Sequence, residues 1–212
     1  MYRYVSRRID PNRDAAIAFY NEGCMLARSK SFEQAKIKFD QALDINPDYV
    51  NAWYNRALVA HQLGQLHDTK ISLQKVVKLD PHNTDAWHRL IIVNTHLENY
   101  EEALSAIDQV IEIDSNNCSI WSNRGVILSH LQRYEEALEA FDKALDLNSS
   151  YSLGYYNKAS VYAHLDQVAL AIENLRQADS KTTSIDYREK ARIDRDFQSL
   201  FHDKRFQNYL DR

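Results

Sequence analysis

A step of 34 residues governs this chain. Starting from Trp121, it lands on Phe19, Trp53, Trp87 and Tyr155, an aromatic at all five places. The same step from Ala137 lands on Ala35, Thr69, Ala103 and Ala171. From Phe141 it lands on Phe39, Leu73, Ile107 and Leu175, and from Tyr134 on Phe32, Leu66, Tyr100 and Val168. No insertion or deletion breaks the register from Ala16 to Ile185. Within one period (118–151), apolar residues recur every three or four positions in two runs, first Trp121, Leu128 and Leu131, then Tyr134, Ala137, Phe141, Ala144 and Leu147. That spacing predicts two short amphipathic helices joined by a tight turn. Each such pair buries only one stripe, so an ungapped fivefold repeat predicts pairs stacked on one another.

These residues resemble the tetratricopeptide repeat, with its W-x2-L-G-x2-Y, A-x3-F and closing-proline pattern. Gly23, Gly125, Ala57 and Ala159 stand at the small-residue place of the first helix, and Pro47 and Pro81 at the closing proline. The resemblance covers 170 of 212 residues. It implies an all-α, right-handed α-solenoid of five tandem helix-turn-helix repeats, at 16–49, 50–83, 84–117, 118–151 and 152–185. Residues 1–15 are then an amino-terminal arm and the start of the first helix, and 186–212 a carboxy-terminal capping helix. The run DRDFQSLFHDKRFQNYL is similar to a tail on other stand-alone, especially bacterial, tetratricopeptide proteins. Two departures carry expectations. Ile91 replaces the small residue of the third repeat and predicts a splayed helix pair there. Glu22, Arg56, Arg124 and Lys158 stand where the family prefers Leu, with stems expected to pack while their heads reach water.

Composition narrows the function. Twenty-six Lys and Arg against 30 acids give a net charge of −4, and no basic run interleaved with aromatics suggests nucleic acid. Four Gly and three Pro suit an all-α chain, and the unbroken register predicts one domain. Cys24 and Cys118 lack C-x-x-C spacing, which argues against zinc or a disulfide framework. No apolar run is long enough to span a membrane, and the amino terminus has no apolar core of a signal peptide, so a cytoplasmic location is expected. Arg3, Arg7 and Arg8 beside Tyr2 and Tyr4 read as an exposed terminus, and Asp10-Pro11 as a helix cap and first turn. On the second helices, Glu139 and Lys143 are expected to form an i,i+4 pair on a solvated face.

Near the end the repeat fades. Asp179 and Lys181 take places that are apolar in the first four repeats, and 181–184 reads as a linker. Ile193, Phe197, Leu200 and Phe201 then form one stripe and Phe206, Tyr209 and Leu210 another, suited to covering the open end of the fifth repeat. Arg188, Lys190, Arg192, Arg195 and Asp196 are expected to face water.

No catalytic constellation emerges: there is no Gly-rich phosphate loop, H-E-x-x-H or nucleophile elbow, so no enzyme and no cofactor is expected. His96, His130 and His164 recur at the 34-residue step. Zinc needs donors about 2.0–2.1 Å away converging on one point, whereas equivalent residues on packed helices stand about 8–10 Å apart. They read as partly exposed polar residues copied with the repeat.

The resemblance also implies that first helices line a concave groove. One groove place holds Tyr20, Tyr54, His88, Ser122 and Tyr156; the next Asn21, Asn55, Arg89, Asn123 and Asn157; the third Cys24, Leu58, Ile92, Val126 and Ser160. Carboxamides donate and accept, so an asparagine ladder suits an extended polypeptide, with bonding to the neighbouring helix as the alternative. Repeats about 10 Å apart match about three extended residues each, a segment of about 12–15 in all. Arg89 interrupts the ladder with a fixed cation, for an acidic group of the ligand or for Asp85 one turn earlier. The five-residue clamp with which related co-chaperones grip heat-shock chaperone tails is absent, because its places hold Tyr20, Cys24, Asn55, Asp85 and Arg89. The expected role is a protein- or peptide-binding adaptor, scaffold or assembly factor. The alternatives are a self-associating structural protein and an accessory subunit of an enzyme.

Overall fold

The computed structural model describes residues 11–211, so the basic arm and Asp10 lie outside it. Among the described residues all regular structure is helical. In order, α1 (Pro11–Arg28) pairs with α2 (Phe32–Ile45) and α3 (Val50–Gln62) with α4 (Leu66–Leu79), followed by α5 (Thr84–His96); then α6 (Tyr100–Ile113) precedes the pairs α7 (Cys118–His130) with α8 (Tyr134–Leu147) and α9 (Ser152–His164) with α10 (Val168–Ser180). The chain divides into two compact units, one ending at Glu98 and the other beginning at Asn99. The division falls within the third repeat, whose register is unbroken.

Within a pair, the small residue of the first helix faces a large one 16 positions later. A Cβ added at Gly23 would lie 2.7 Å from the Phe39 ring, and one at Gly125 would lie 2.6 Å from Phe141. Where the first helix has Ala57 or Ala159 instead, the facing position is the slimmer Leu73 or Leu175, and all four are buried. The recurring aromatic has a separate task. Trp53, Trp87 and Trp121 each donate their indole N–H to the carbonyl six residues back, Pro47, Pro81 and Ser115, at 2.7, 2.9 and 2.9 Å. Each ties down the loop before its own helix. The turn inside each pair closes on a left-handed residue, in order Lys30, Gly64, Glu98, Gln132 and Asp166, and only one of them is glycine.

The charged residues in place of Leu do not simply reach water. Arg56 Nε lies 2.5 Å from Asp40, Arg124 Nε lies 3.2 Å from Asp108, and Lys158 pairs with Asp142. Each joins one repeat to the one before. Glu22 pairs with Lys38 of its own repeat at 2.7 Å. The expected Glu139–Lys143 pair does not form among the described residues; both side chains are exposed.

The carboxy-terminal segment is not one capping helix but three short ones: α11 (Tyr187–Ile193), a 3-10 helix (Arg195–His202) and α12 (Lys204–Leu210). Asp194 and Asp203 break it, each in extended backbone with its carboxylate accepting the N–H two residues on. Arg205 holds the Asp203 carboxyl down at about 2, with backbone N–H groups assisting. Phe197, Leu200, Phe206, Tyr209 and Leu210 join Tyr156, Ala159, Ile172 and Leu175 in one buried cluster. Ile193, expected in that stripe, is 84% exposed, because the chain turns at Asp194 directly after it. Of the residues expected to face water, Arg192 is only partly exposed and donates to Leu210 O, while the exposed Lys190 holds its ammonium 4.1 Å from the Tyr156 ring centroid. Asp179, the polar intruder of the fifth repeat, is the seat of this cap. Its two oxygens accept the Tyr187 N–H at 2.9 Å and the Tyr209 hydroxyl at 3.0 Å.

Three outcomes follow. Gly125→Ala gains about 1 kcal/mol of helix propensity but crowds Phe141, for a net loss of about 1–3 kcal/mol in urea denaturation. Adding Phe141→Leu recovers part of it, a coupling of about 0.5–3 kcal/mol; strict additivity would refute the pairing. Phe197→Ala lowers stability by about 3–5 kcal/mol, and an unchanged denaturation midpoint would show that the cap does not depend on that ring. Burial first, then the Asp194 and Asp179 carboxylates, push the Tyr156 and Tyr209 phenols above their ordinary value. Groups raised in the folded state stabilise it fully below their unfolded pKa of about 10 and cease to do so as pH rises through the folded value. Denaturation midpoints therefore hold from about pH 7 to 9 and fall above about 10, less steeply in a Tyr156→Phe/Tyr209→Phe variant.

Candidate functional site

One hydrogen bond recurs between successive first helices. The second groove place donates to the hydroxyl at the first groove place of the previous repeat, 35 residues earlier. Asn55 Nδ2 donates to Tyr20 at 2.9 Å, Arg89 Nε to Tyr54 at 3.0 Å and Asn157 Nδ2 to Ser122 at 3.4 Å. Asn55 Nδ2 also lies 3.6 Å from the Cys24 sulfur. One N–H of each of these amides bonds to the neighbouring helix, and the amide oxygen is left to accept from an incoming N–H. Asn21, which has no repeat before it, and Asn123 are exposed.

Each remaining side chain of the groove series has its own surroundings. Burial, with the Cys24 thiol adding to it, pushes the Tyr20 phenol up to about 12, against the lowering effect of Asn55. Tyr20 therefore stays a neutral donor and acceptor at any physiological pH. His88 Nδ1 lies 2.7 Å from Thr84 O, and since a carbonyl only accepts, that nitrogen carries the proton. Arg89 turns towards Tyr54 rather than Asp85, with its guanidinium carbon 5.7 Å from the Tyr54 ring centroid. No carboxylate pairs with it among the described residues.

Tyr156 is a correction. Expected to face the groove, it is 3% exposed and packs on Tyr187 and Phe197 of the cap, while its hydroxyl donates to Asp194 at 2.6 Å. The 3-10 helix contacts α9, and Ser199 donates to Ala163 O at 3.2 Å. The cap thus covers a first helix as well as the stack's end. Ser122 is buried too.

Two recesses differ in kind. In the first unit, about 210 Å³ is lined by Leu58, His61, Arg89, Ile92 and His96, among others. Ile92 is 51% exposed there, a large apolar side chain open to water. In the second unit, about 120 Å³ is lined by polar groups, Ser129, Asn157, Ser160, His164 and Asp196 among them. The histidine line resolves into local contacts. His130 stacks on Tyr100 with centroids 4.8 Å apart, and His164 on Tyr134 at 5.7 Å with Nε2 3.3 Å from Asp196. Leu66 holds the place of those tyrosines for His96, which lines the apolar recess instead. No cluster of potential metal ligands exists among the described residues, and no helix there is long and apolar enough to cross a membrane. The stacking escaped the sequence reading, although a tyrosine 30 residues before two of the histidines was visible.

Comparison with known proteins agrees with this architecture. Tetratricopeptide repeat models match residues 12–49, 38–70, 119–151 and 154–180, together more than half of the chain. A protein prenyltransferase alpha subunit repeat model matches 100–131. No curated protein sequence matches. Among solved structures, YrrB, a tetratricopeptide protein described with an unusual peptide-binding site, superposes with a TM-score of 0.72 at 22% identity, over 88% of this chain and 96% of that one. A MamA protein does so with 0.71 at 18%, over 85% and 96%. MamA from Desulfovibrio magneticus RS-1 gives 0.67 at 19%, over 85% and 98%. Repeat register, helix pairing and these matches agree: the chain belongs to the tetratricopeptide repeat family.

Proposed function

We propose that this chain is a protein-interaction module with no catalysis of its own, holding an extended segment of a partner on the first helices of the unit ending at Glu98. The observation that carries this reading is the recess beside Arg89. An exposed Ile92 and Leu58 offer an apolar seat, and next to them stands a cation whose Nε is anchored on Tyr54 and whose other N–H groups are unopposed by any carboxylate. An apolar side chain near an acidic group or free carboxylate complements both. The peptide-binding site ascribed to YrrB lends the reading precedent on a similar fold. Because Tyr156 is sealed under the cap, the segment rests on α1, α3 and α5. Two steps of about 10 Å correspond to about six extended residues, fewer than the five-repeat groove suggests.

Self-association is a second reading, favoured by one feature. Ile37 and Ile71, equivalent places on α2 and α4, are 56% and 52% exposed, whereas Ser105, Glu139 and Glu173 hold that place later. Sedimentation over a wide concentration range separates the two: a groove binder stays monomeric, and a tight dimer lost in Ile37→Glu/Ile71→Glu would favour self-association.

The binding reading is tested by panning a displayed library of twelve-residue peptides and titrating the enriched ones by calorimetry. Arg89→Ala should weaken binding by about 1.5–3 kcal/mol, the scale of a charged hydrogen bond. Asn55→Ala should weaken it by about 0.5–1.5 kcal/mol and lower stability as well, since its amide also joins two repeats. Affinity untouched by Arg89→Ala, with a lowered melting point, would assign Arg89 to the fold alone.

A further inference from the structure

A third recess, of about 240 Å³, is lined by Arg176, Asp179, Arg188 and Tyr209. These residues come from α10, α11 and α12, which pack on one another. Both guanidinium carbons stand within reach of one ring, 5.9 Å (Arg176) and 5.7 Å (Arg188) from the Tyr209 centroid. Neither arginine makes an ion pair with a carboxylate among the described residues. Asp179 lines the recess, but its oxygens already accept from Tyr187 N and the Tyr209 hydroxyl. Two guanidiniums against one carboxylate leave an excess positive charge. Arg188 Nε is buried and has no hydrogen-bond partner. A buried charged donor without an acceptor is costly, and an anion seated in the recess relieves that cost.

We propose that this recess binds a phosphate group. Its three terminal oxygens can serve two separate guanidiniums at once, whereas the two coplanar oxygens of a carboxylate match a single fork. Size points the same way: sites for drug-sized ligands run to about 300–1,000 Å³, so 240 Å³ suits one phosphate and the first atoms of its carrier, not a nucleotide. Tyr209 holds the arrangement rigid, because its buried ring supports both cations while its hydroxyl is fixed to Asp179. The site belongs to the cap and is independent of the peptide reading above.

The test uses the full chain labelled with nitrogen-15, titrated with sodium phosphate at constant ionic strength while the arginine Nε–H resonances are followed. Saturable movement of the Arg188 resonance is expected. Affinity should fall at least tenfold in Arg176→Gln, whose exposed side chain can change without unfolding the cap, and melting curves verify this. Arg188→Gln should lose binding as well. Blocked phosphoserine and blocked glutamate distinguish the sources. Phosphoserine binding as tightly as inorganic phosphate identifies a phosphorylated side chain, and weaker binding identifies the free anion; either supports the site. Equal binding of glutamate, movement that tracks only ionic strength, or unchanged affinity in folded Arg176→Gln would overturn it.

Discussion

Close approach of the paired helices α1/α2, α3/α4, α7/α8 and α9/α10 is the constraint on which the rest of the structure depends. It requires that a small residue on the first helix meet a ring or branched chain 16 positions later, glycine against phenylalanine and alanine against leucine. The packing is complementary in volume, so each place limits its partner. With the pair closed, its outer residues are presented at fixed spacing. The tryptophan bonds to the preceding loop and the Arg–Asp pairs between neighbouring repeats can then recur at every suitable joint. The ion pairs are partly exposed and individually weak, on the order of 0–1 kcal/mol. Their contribution is to register more than to stability.

A stack of pairs always ends with an uncovered face, and this chain closes its end by changing one residue. Where earlier repeats have Leu43, Val77, Ile111 and Leu145, the fifth has Asp179. An apolar residue there would need another repeat. The carboxylate instead receives a backbone N–H from α11 and a phenol from α12, and so orients two of the three short cap helices. The cap also reaches over α9, which gives the two units different surfaces. In the first, groove places remain open around an apolar recess and an unopposed arginine. In the second, Tyr156 is sealed and Asp196 closes the remaining polar recess.

The asparagine series shows how a recurring residue can carry two readings. An amide at that place is chemically suited to a peptide ligand, yet where a hydroxyl stands one repeat earlier, as for Asn55 and Asn157, its nitrogen bonds there. Arg89 obeys the same rule with its Nε, which leaves the far end of the guanidinium for something else. Series position therefore indicates the contact to the previous repeat, while only what is left over after that contact bears on binding.

Most of the fold was legible in sequence because a solenoid's contacts are local and repeat at one fixed offset. An aromatic at Phe19, Trp53, Trp87, Trp121 and Tyr155, with Gly or Ala four positions on in every repeat but the third, already specifies helix pairs and their faces. The cap was legible only as apolar stripes. Its three helices depend on Asp194 and Asp203 accepting local N–H groups, a choice between helix and cap that the surrounding packing settles. Tertiary structure alone decided that Tyr156 is buried, that Arg89 leans on Tyr54 and not Asp85, and that Arg188 Nε lies buried without an acceptor. Each of these turns on where a side chain points relative to residues about 20–40 positions away, and periodicity records which face a residue occupies but not which neighbour its polar atoms reach.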